Sequence, residues 1–406
     1  VPAGEHVNFA CVADPDSSVG GSCASGSDCA SRLCFRGRCT EPCLVCGEAA
    51  ACVATDFEVD GRSIEAPICQ VRRAAPSLVL GPVATSSTGG SEVVELEVPS
   101  GLASFVLVLR AEGAARVGIT RLEGPGGTAV IDVQDDAPDA NPMAPYIEMA
   151  SALVPSSDLV RPSPGRWRLE VGTFDPAVFD ALEPVAGTVA SIDVVFEPEA
   201  EVGGTLDLHL GLADAFGLTS TTATASPFVR DVLAQVERSL LEPADLELGA
   251  IEVSILAPEH DRVEDGDETR DLCRHRARPG PNGTSLNLFI VGDLAYTSGH
   301  AGGTPGPPGV FDTAASCVVA ERLRSGRDTG ILAAHEIGHF LGLRHTTELD
   351  GTPDPLTDTP VCPSQTDVRS CPDYRNLMFP RFPLDPNLSL TPNQIAVIRS
   401  NPMLWE

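Results

Sequence analysis

His335-Glu336-Ile337-Gly338-His339-Phe340-Leu341-Gly342-Leu343-Arg344-His345 is the stretch on which the reading of this chain turns. The apolar run Ile331-Leu-Ala-Ala334 ahead of it predicts a helix, with Asp328 or Thr329 as its N-cap. Residues four apart on a helix leave the same face one turn above each other, so the rings of His335 and His339 share a side. Glu336 projects beside them. Gly342 can adopt the left-handed backbone that ends a helix and turns the chain sharply. That turn lets His345 swing back as a third nitrogen donor. Three neutral imidazoles form an open tetrahedral site for a divalent ion such as zinc, with a fourth position left for water. An ordinary surface or core role explains most single histidines. Here it would have to explain three of them, a glutamate and a glycine in register, a coincidence on the order of 10⁻⁵ for average residue frequencies.

Working outward, the 406 residues suffice for two or three domains, and 42% apolar content excludes a wholly disordered chain. The 57 acidic and 27 basic residues leave a net charge of −30, and every basic residue is arginine. Such a field repels nucleic acid and anionic membrane surfaces and favours cations. No apolar run approaches the roughly 20 residues of a spanning helix. The absence of lysine is the association expected of a GC-rich bacterial genome, and a mildly halophilic source is the competing account of the acidity. Of the 13 cysteines, those from Cys11 to Cys69 are densely spaced, and only Cys273, Cys317, Cys362 and Cys371 follow. This usage predicts a secreted, extracellular protein with disulfides. An odd count leaves one thiol unpaired or paired between chains.

Three regions emerge, giving a multidomain expectation. Residues 1–75 read as a cysteine-rich, loop-rich module held by disulfides, since large apolar side chains are few. Residues 76–202 read as an all-β sandwich or jelly roll: short strands at Ser91–Val98, Phe105–Leu109, Val117–Leu122, Ala129–Val133, Trp167–Val171 and Ala190–Phe196 alternate with Pro/Gly/Asp turns. No titratable cluster there suggests chemistry, so it reads as a packing or targeting module. Residues 203–406 read as mixed α/β, with strands at Leu206–Leu212, Ile251–Leu256 and Ser285–Val291. A helix at Pro227–Leu241 is capped by Ser226, and an irregular loop covers Gly299–Gly309.

The HExxHxxGxxH string resembles the signature of the metzincin zinc endopeptidases. A Met-turn belongs downstream of it, and Asn376-Leu-Met378-Phe-Pro380 stands at a suitable distance. Within that group the tail is most similar to the pappalysins, through Gly338–His345, Asp358-Thr-Pro360, Cys362, Cys371, Asn376-Leu-Met378 and Leu390-Thr-Pro-Asn-Gln394. The resemblance implies a two-lobed, metzincin-like catalytic domain over residues 203–406, with zinc at the floor of the cleft, endopeptidase activity and structural calcium after the third histidine. Two departures stand out. Pro380 occupies the position where the family usually has a tyrosine, with Tyr374 nearby in sequence, and only two cysteines follow the motif.

On this reading His335, His339 and His345 hold zinc, Met378 lies beneath it, and Glu336 passes the proton of a water nucleophile to the leaving amine. A protein or peptide substrate would pair with an exposed sheet edge, for which Ser285–Val291 is the candidate and an interior strand the equal alternative. Asp350, Asp354, Asp358 and the Thr359 carbonyl offer hard oxygens suited to Ca²⁺, against a plain solvated acidic loop, and the resemblance favours calcium. Cys69 or Cys11 could supply a thiolate that keeps a zymogen latent, against a mixed disulfide. The alternative function is a catalytically silent, zinc-structured extracellular binding or adhesion protein, against which an intact Glu336 speaks.

Overall fold

A computed structural model describes most of residues 77–404, without 89, 114, 134–145, 178–182, 200–203, 214–217, 280–283, 350, 364–367 and 382–386, together with four strands between Leu33 and Val71. Those strands, β1 (Leu33–Phe35), β2 (Arg38–Pro42), β3 (Ala50–Val59) and β4 (Arg62–Val71), form an antiparallel sheet in the order β1-β2-β4-β3 within a compact unit of their own. The loop-rich expectation for this region understated its β content. In sequence, Asp60-Gly61 stands between β3 and β4, a dipeptide suited to hairpin turns. Cys11 and the side chain of Cys69 lie outside the described residues, and the latency thiol with them.

The second unit begins with β5 (Ser77–Leu80), β6 (Val83–Thr85), β7 (Val94–Val98), β8 (Leu102–Ala111), β9 (Arg116–Glu123), β10 (Ala129–Asp132), β11 (Tyr146–Ile147), β12 (Met149–Val154), β13 (Gly165–Phe174) and β14 (Gly187–Pro198). One sheet runs β10-β9-β13-β7 with β11 on β9, the other β12-β8-β14-β5 with β6 on β14. Between them Phe105 meets Trp167 edge-on at 5.2 Å between ring centroids.

The uninterrupted apolar run in β8 has a physical cause. Side chains alternate across a strand, and Phe105, Leu107 and Leu109 fill the space between the sheets, while Val106 and Val108 face the other way. These two valines, with Met149 and Leu153 of β12, join a core shared with the residues beyond Gly204. Segments 77–198 and 204–404 therefore fold as one compact unit. Arg274 pairs with Glu148 at 2.8 Å across them, and the Ser104 and Ser151 hydroxyls donate to the carbonyls of Ser400 and Pro305.

That remaining part carries β15 (Gly204–Leu212), α1 (Ser220–Ala223), α2 (Pro227–Val236), β16 (Leu246–Ile255), β17 (Arg262–Val263), α3 (Gly266–Arg276), β18 (Leu286–Val291), β19 (Asp293–Leu294), β20 (Gly299–Ala301), β21 (Val318–Glu321), α4 (Gly326–Phe340) and α5 (Pro392–Arg399). Its main sheet runs β16-β15-β18-β21-β20, parallel except for β20, which lies antiparallel on the edge. Leu286, Leu288 and Ile290 of β18 pack toward α2 and α4, whereas Phe289 and Val291 pack toward Leu272 and Cys273 of α3. A strand covered on both faces is rich in such apolar residues, and the one polar member of β18, Asn287, is buried and hydrogen-bonded. The strand is interior, so the expectation that Ser285–Val291 forms the exposed edge is corrected: β20, read from sequence as irregular loop, holds that place.

Two details carry predictions. Helix α4 crosses α2 at Gly330, where an added Cβ would lie 2.6 Å from the Val232 carbonyl oxygen and 2.7 Å from Gln235 Cβ. Alanine raises helix propensity by about 1 kcal/mol, yet overpacking against backbone costs about 1–3 kcal/mol. Gly330→Ala is expected to lower the unfolding free energy by up to about 2 kcal/mol in a denaturant titration.

The second detail is His209, buried in β15. Its Nδ1–H donates to Asn287 Oδ1 at 2.6 Å, and Nε2 accepts from the Ser254 hydroxyl at 2.8 Å. Asn287 also takes the Arg278 N–H at 2.8 Å and returns an N–H to its carbonyl at 3.1 Å. Burial holds His209 below its ordinary pKa. The unfolded state then binds more protons below pH about 6.5, so stability present above that pH falls as the solution is acidified toward the lowered value. Wild type is expected to lose stability more steeply between pH 7 and 5 than His209→Gln, read as denaturant midpoints at each pH.

Candidate metal centre

Helix α4 begins one turn earlier than the sequence indicated. Ser325, not Asp328 or Thr329, is its N-cap, its hydroxyl accepting from Asp328 N at 3.0 Å. At the other end Gly342, at φ +110, takes the left-handed conformation. Its N–H donates to His339 O at 2.9 Å and Leu343 N–H to Gly338 O at 2.9 Å, the paired bonds of a Schellman cap. Leu153 of β12 packs against this glycine, where a Cβ would lie 2.9 Å from Leu153 Cδ2. The sandwich thus buttresses the turn that returns His345.

The three rings converge. His335 and His339 Nε2 are 3.2 Å apart, His339 and His345 3.1 Å, His335 and His345 3.3 Å. Four donors about 2.0–2.1 Å from a tetrahedral ion stand about 3.3–3.4 Å from one another, so the triangle fits zinc. The tautomers are fixed from behind. His335 Nδ1 faces Leu377 O at 2.7 Å, His339 Nδ1 faces Leu343 O at 2.8 Å, and His345 Nδ1 faces Glu348 Oε2 at 2.9 Å. Oxygens of this kind accept only, so each Nδ1 carries the proton and each Nε2 turns a lone pair inward. Burial lowers the pKa of His335 to about 4 and that of His339 well below its ordinary value, which keeps both rings neutral.

Glu336 is 8% exposed, and burial pushes its carboxyl up to about 8. Its carboxylate lies over the backbone of β20, where a Cβ on Gly299 would sit 2.3 Å from Glu336 Oε1. The rings, Glu336 and β20 line an open cleft of about 550 Å³ that also includes Arg344, Glu348 and Pro380.

Met378 is fully buried in a tight turn in which Phe379 N–H donates to Asn376 O at 3.1 Å. A Cβ on Gly338 would lie 2.6 Å from Met378 Sδ, which places the sulfur directly against the histidine-bearing helix. Asn376 holds the turn by accepting from Met378 N at 2.8 Å and donating to Gln394 Oε1 at 2.8 Å. Pro380 lines the cleft, and Tyr374 packs edge-on against Phe379 beside the Cys362–Cys371 disulfide. A second disulfide joins Cys273 to Cys317.

Among the described residues the histidine triad is a group of three side chains able to share one metal ion, and of the expected calcium ligands Asp354, Asp358 and Thr359 are described. Asp350 lies outside the described residues. Asp358 accepts from the Thr391 hydroxyl and from Asn393 N at 2.8 and 2.9 Å, so it serves the N-terminus of α5. The Thr359 hydroxyl donates to Asp354. Asp354 and Asp373 are both buried, and each keeps one carboxylate oxygen without a hydrogen-bond partner.

Sequence reasoning missed Glu348, Gly299 and the Asn376–Gln394 pair. A carboxylate three residues after His345 was the one visible sign of the first. Gly299 depends on distant backbone, and the Asn376–Gln394 pair on two side chains brought together from separate segments. No described helix is long and apolar enough to cross a membrane.

No family model matches the chain, and no curated protein matches it. Solved structures similar to it include two bacterial metallopeptidases. Mature mirolysin of Tannerella forsythia, in complex with a cleaved peptide, aligns at 16% identity and a TM-score of 0.30, covering 48% of this chain and 90% of that one. Metalloproteinase-II of Bacteroides fragilis aligns at 14% identity and a TM-score of 0.30, covering 52% of this chain and 62% of that one.

Proposed function

We propose that this chain is a secreted zinc-dependent endopeptidase of metzincin type, most like the pappalysins. One observation carries the reading: three imidazoles, each with Nδ1 engaged from behind, converge with Nε2 atoms 3.1–3.3 Å from one another, with the buried carboxyl of Glu336 next in sequence to the first. His335, His339 and His345 would hold the ion. Bound zinc supplies Lewis-acid polarisation of a carbonyl and lowers the pKa of water toward about 7.

The chain's own residues do the rest. With a cation held beside it to favour the ionised form, Glu336 takes the proton of the attacking water and delivers it to the leaving amine, the transfer that imidazoles committed to a metal cannot make. Edge strand β20, which flanks the glutamate, offers backbone groups to an extended peptide. The cysteine content and the two disulfides support an oxidising, extracellular setting.

For calcium, the support is narrower: the unpartnered buried oxygens of Asp354 and Asp373, the former's carboxyl pushed by burial up to about 7. Added Ca²⁺ is expected to raise the melting temperature by several degrees and a calcium-selective chelator to reverse the gain. An unmoved transition removes calcium from the account.

The function is tested by incubating the purified chain with a peptide library, with and without a zinc chelator, and reading products by mass spectrometry. Cleavage that stops on chelation and returns with zinc is expected. An intact library at full zinc occupancy overturns the peptidase reading in favour of a zinc-structured binding protein.

A further inference from the structure

The three histidines are not held alike. His335 and His339 sit on α4, and their Nδ1 protons go to backbone carbonyls of Leu377 and Leu343. His345 sits beyond the helix, its side chain 25% exposed, and its Nδ1 proton goes to a side chain, Glu348 Oε2 at 2.9 Å. A ligand on a loop lacks the rotamer restraint that a helix imposes, so its orientation depends on whatever grips the far nitrogen.

Glu348 is itself placed by a short turn. Its N–H donates to Thr352 O at 2.7 Å, Gly351 N–H donates back to Glu348 O at 2.9 Å, and Thr347 pairs with Pro353 as an antiparallel bridge. Gly351 stands at φ +94, in the region closed to most side chains, and a Cβ there would meet nothing within 4 Å. The turn is anchored below. The hydroxyls of Thr346 and Thr347 donate to Asp373 Oδ2 at 2.6 and 3.3 Å, and Cys362 N donates to Thr347 Oγ1 at 3.0 Å.

We propose that Glu348 is the positioning residue of the third metal ligand, and that the Thr347–Pro353 turn sets its place. The carboxylate fixes the tautomer and ring plane of His345 and makes it a stronger donor than a carbonyl-backed imidazole. The inference rests on the metal-site reading above and not on peptidase activity.

The test measures zinc affinity of the full chain by competition with a chromophoric chelator, together with the cobalt(II) absorption spectrum, which reports ligand geometry, and the melting temperature of each zinc-free variant. Glu348→Ala is expected to weaken zinc binding by about 10–100-fold and to alter the cobalt spectrum while the zinc-free melting temperature stays at the wild-type value. Glu348→Gln keeps an acceptor for the Nδ1 proton and should recover part of the loss. Gly351→Ala leaves the carboxylate in the sequence but strains the turn, and should weaken zinc in the same direction. A Glu348→Ala variant that binds zinc within about twofold of wild type, with an unchanged cobalt spectrum, overturns the role. So does a loss that Glu348→Gln shares in full and that tracks a lowered zinc-free melting temperature. A wild-type chain with no zinc affinity sinks the metal centre itself, which keeps the two failures apart.

Discussion

Glu336→Gln is expected to retain zinc at wild-type stoichiometry and to lower peptide cleavage by about 10²–10⁴-fold, the range that positioned acid–base groups contribute. Glutamine has the same shape and reaches the same place over Gly299, so positioning is preserved. What it lacks is the capacity to accept a proton and hand it on. The substitution also removes a carboxylate that is only 8% exposed, so the zinc-free variant should be no less stable than wild type. Turnover within about twofold of wild type, with zinc bound, would exclude Glu336 as the proton carrier.

The same residue shows how far sequence reasoning reaches. Spacing alone sets His335, Glu336 and His339 on a helix, and Gly342 marks where the chain must turn. Those inferences are local, because helical period and left-handed glycine act within a few residues. The N-cap differs for a local reason too: Ser325, Asp328 and Thr329 are all competent caps, and it is the Ser325 hydroxyl that accepts from the Asp328 N–H.

Sheet order is different in kind. Ser285–Val291 reads equally well as edge or interior, because an apolar run states that both faces are covered and says nothing about which neighbours flank it. Only the pairing of β18 with β15 and β21 resolves it, and it moves the edge to Gly299–Ala301, a segment whose Gly/Pro surroundings hide a strand. Val106 and Val108 are legible as strand, yet nothing local announces that their side of β8 closes the core around the histidine-bearing helix.

Zinc addition is expected to raise the melting temperature of the wild-type chain, and His339→Ala to abolish most of that increment. Three Nε2 atoms oppose one another at 3.1–3.3 Å, with each ring's Nδ1 engaged from behind. A cation relieves that opposition and is bound by the folded state alone. At free zinc a thousandfold above its dissociation constant, the stabilisation is about 4 kcal/mol, or about 5 °C for a unit of this size. His339 stands nearest to both partners, so its loss leaves two donors and an open face. The zinc-dependent increment is the readout, since loss of the His339 Nδ1–H bond to Leu343 O weakens the helix cap in both zinc-free and zinc-loaded forms. If His339→Ala keeps the full increment, the ion that stabilises the fold lies elsewhere, and the converging imidazoles serve packing alone.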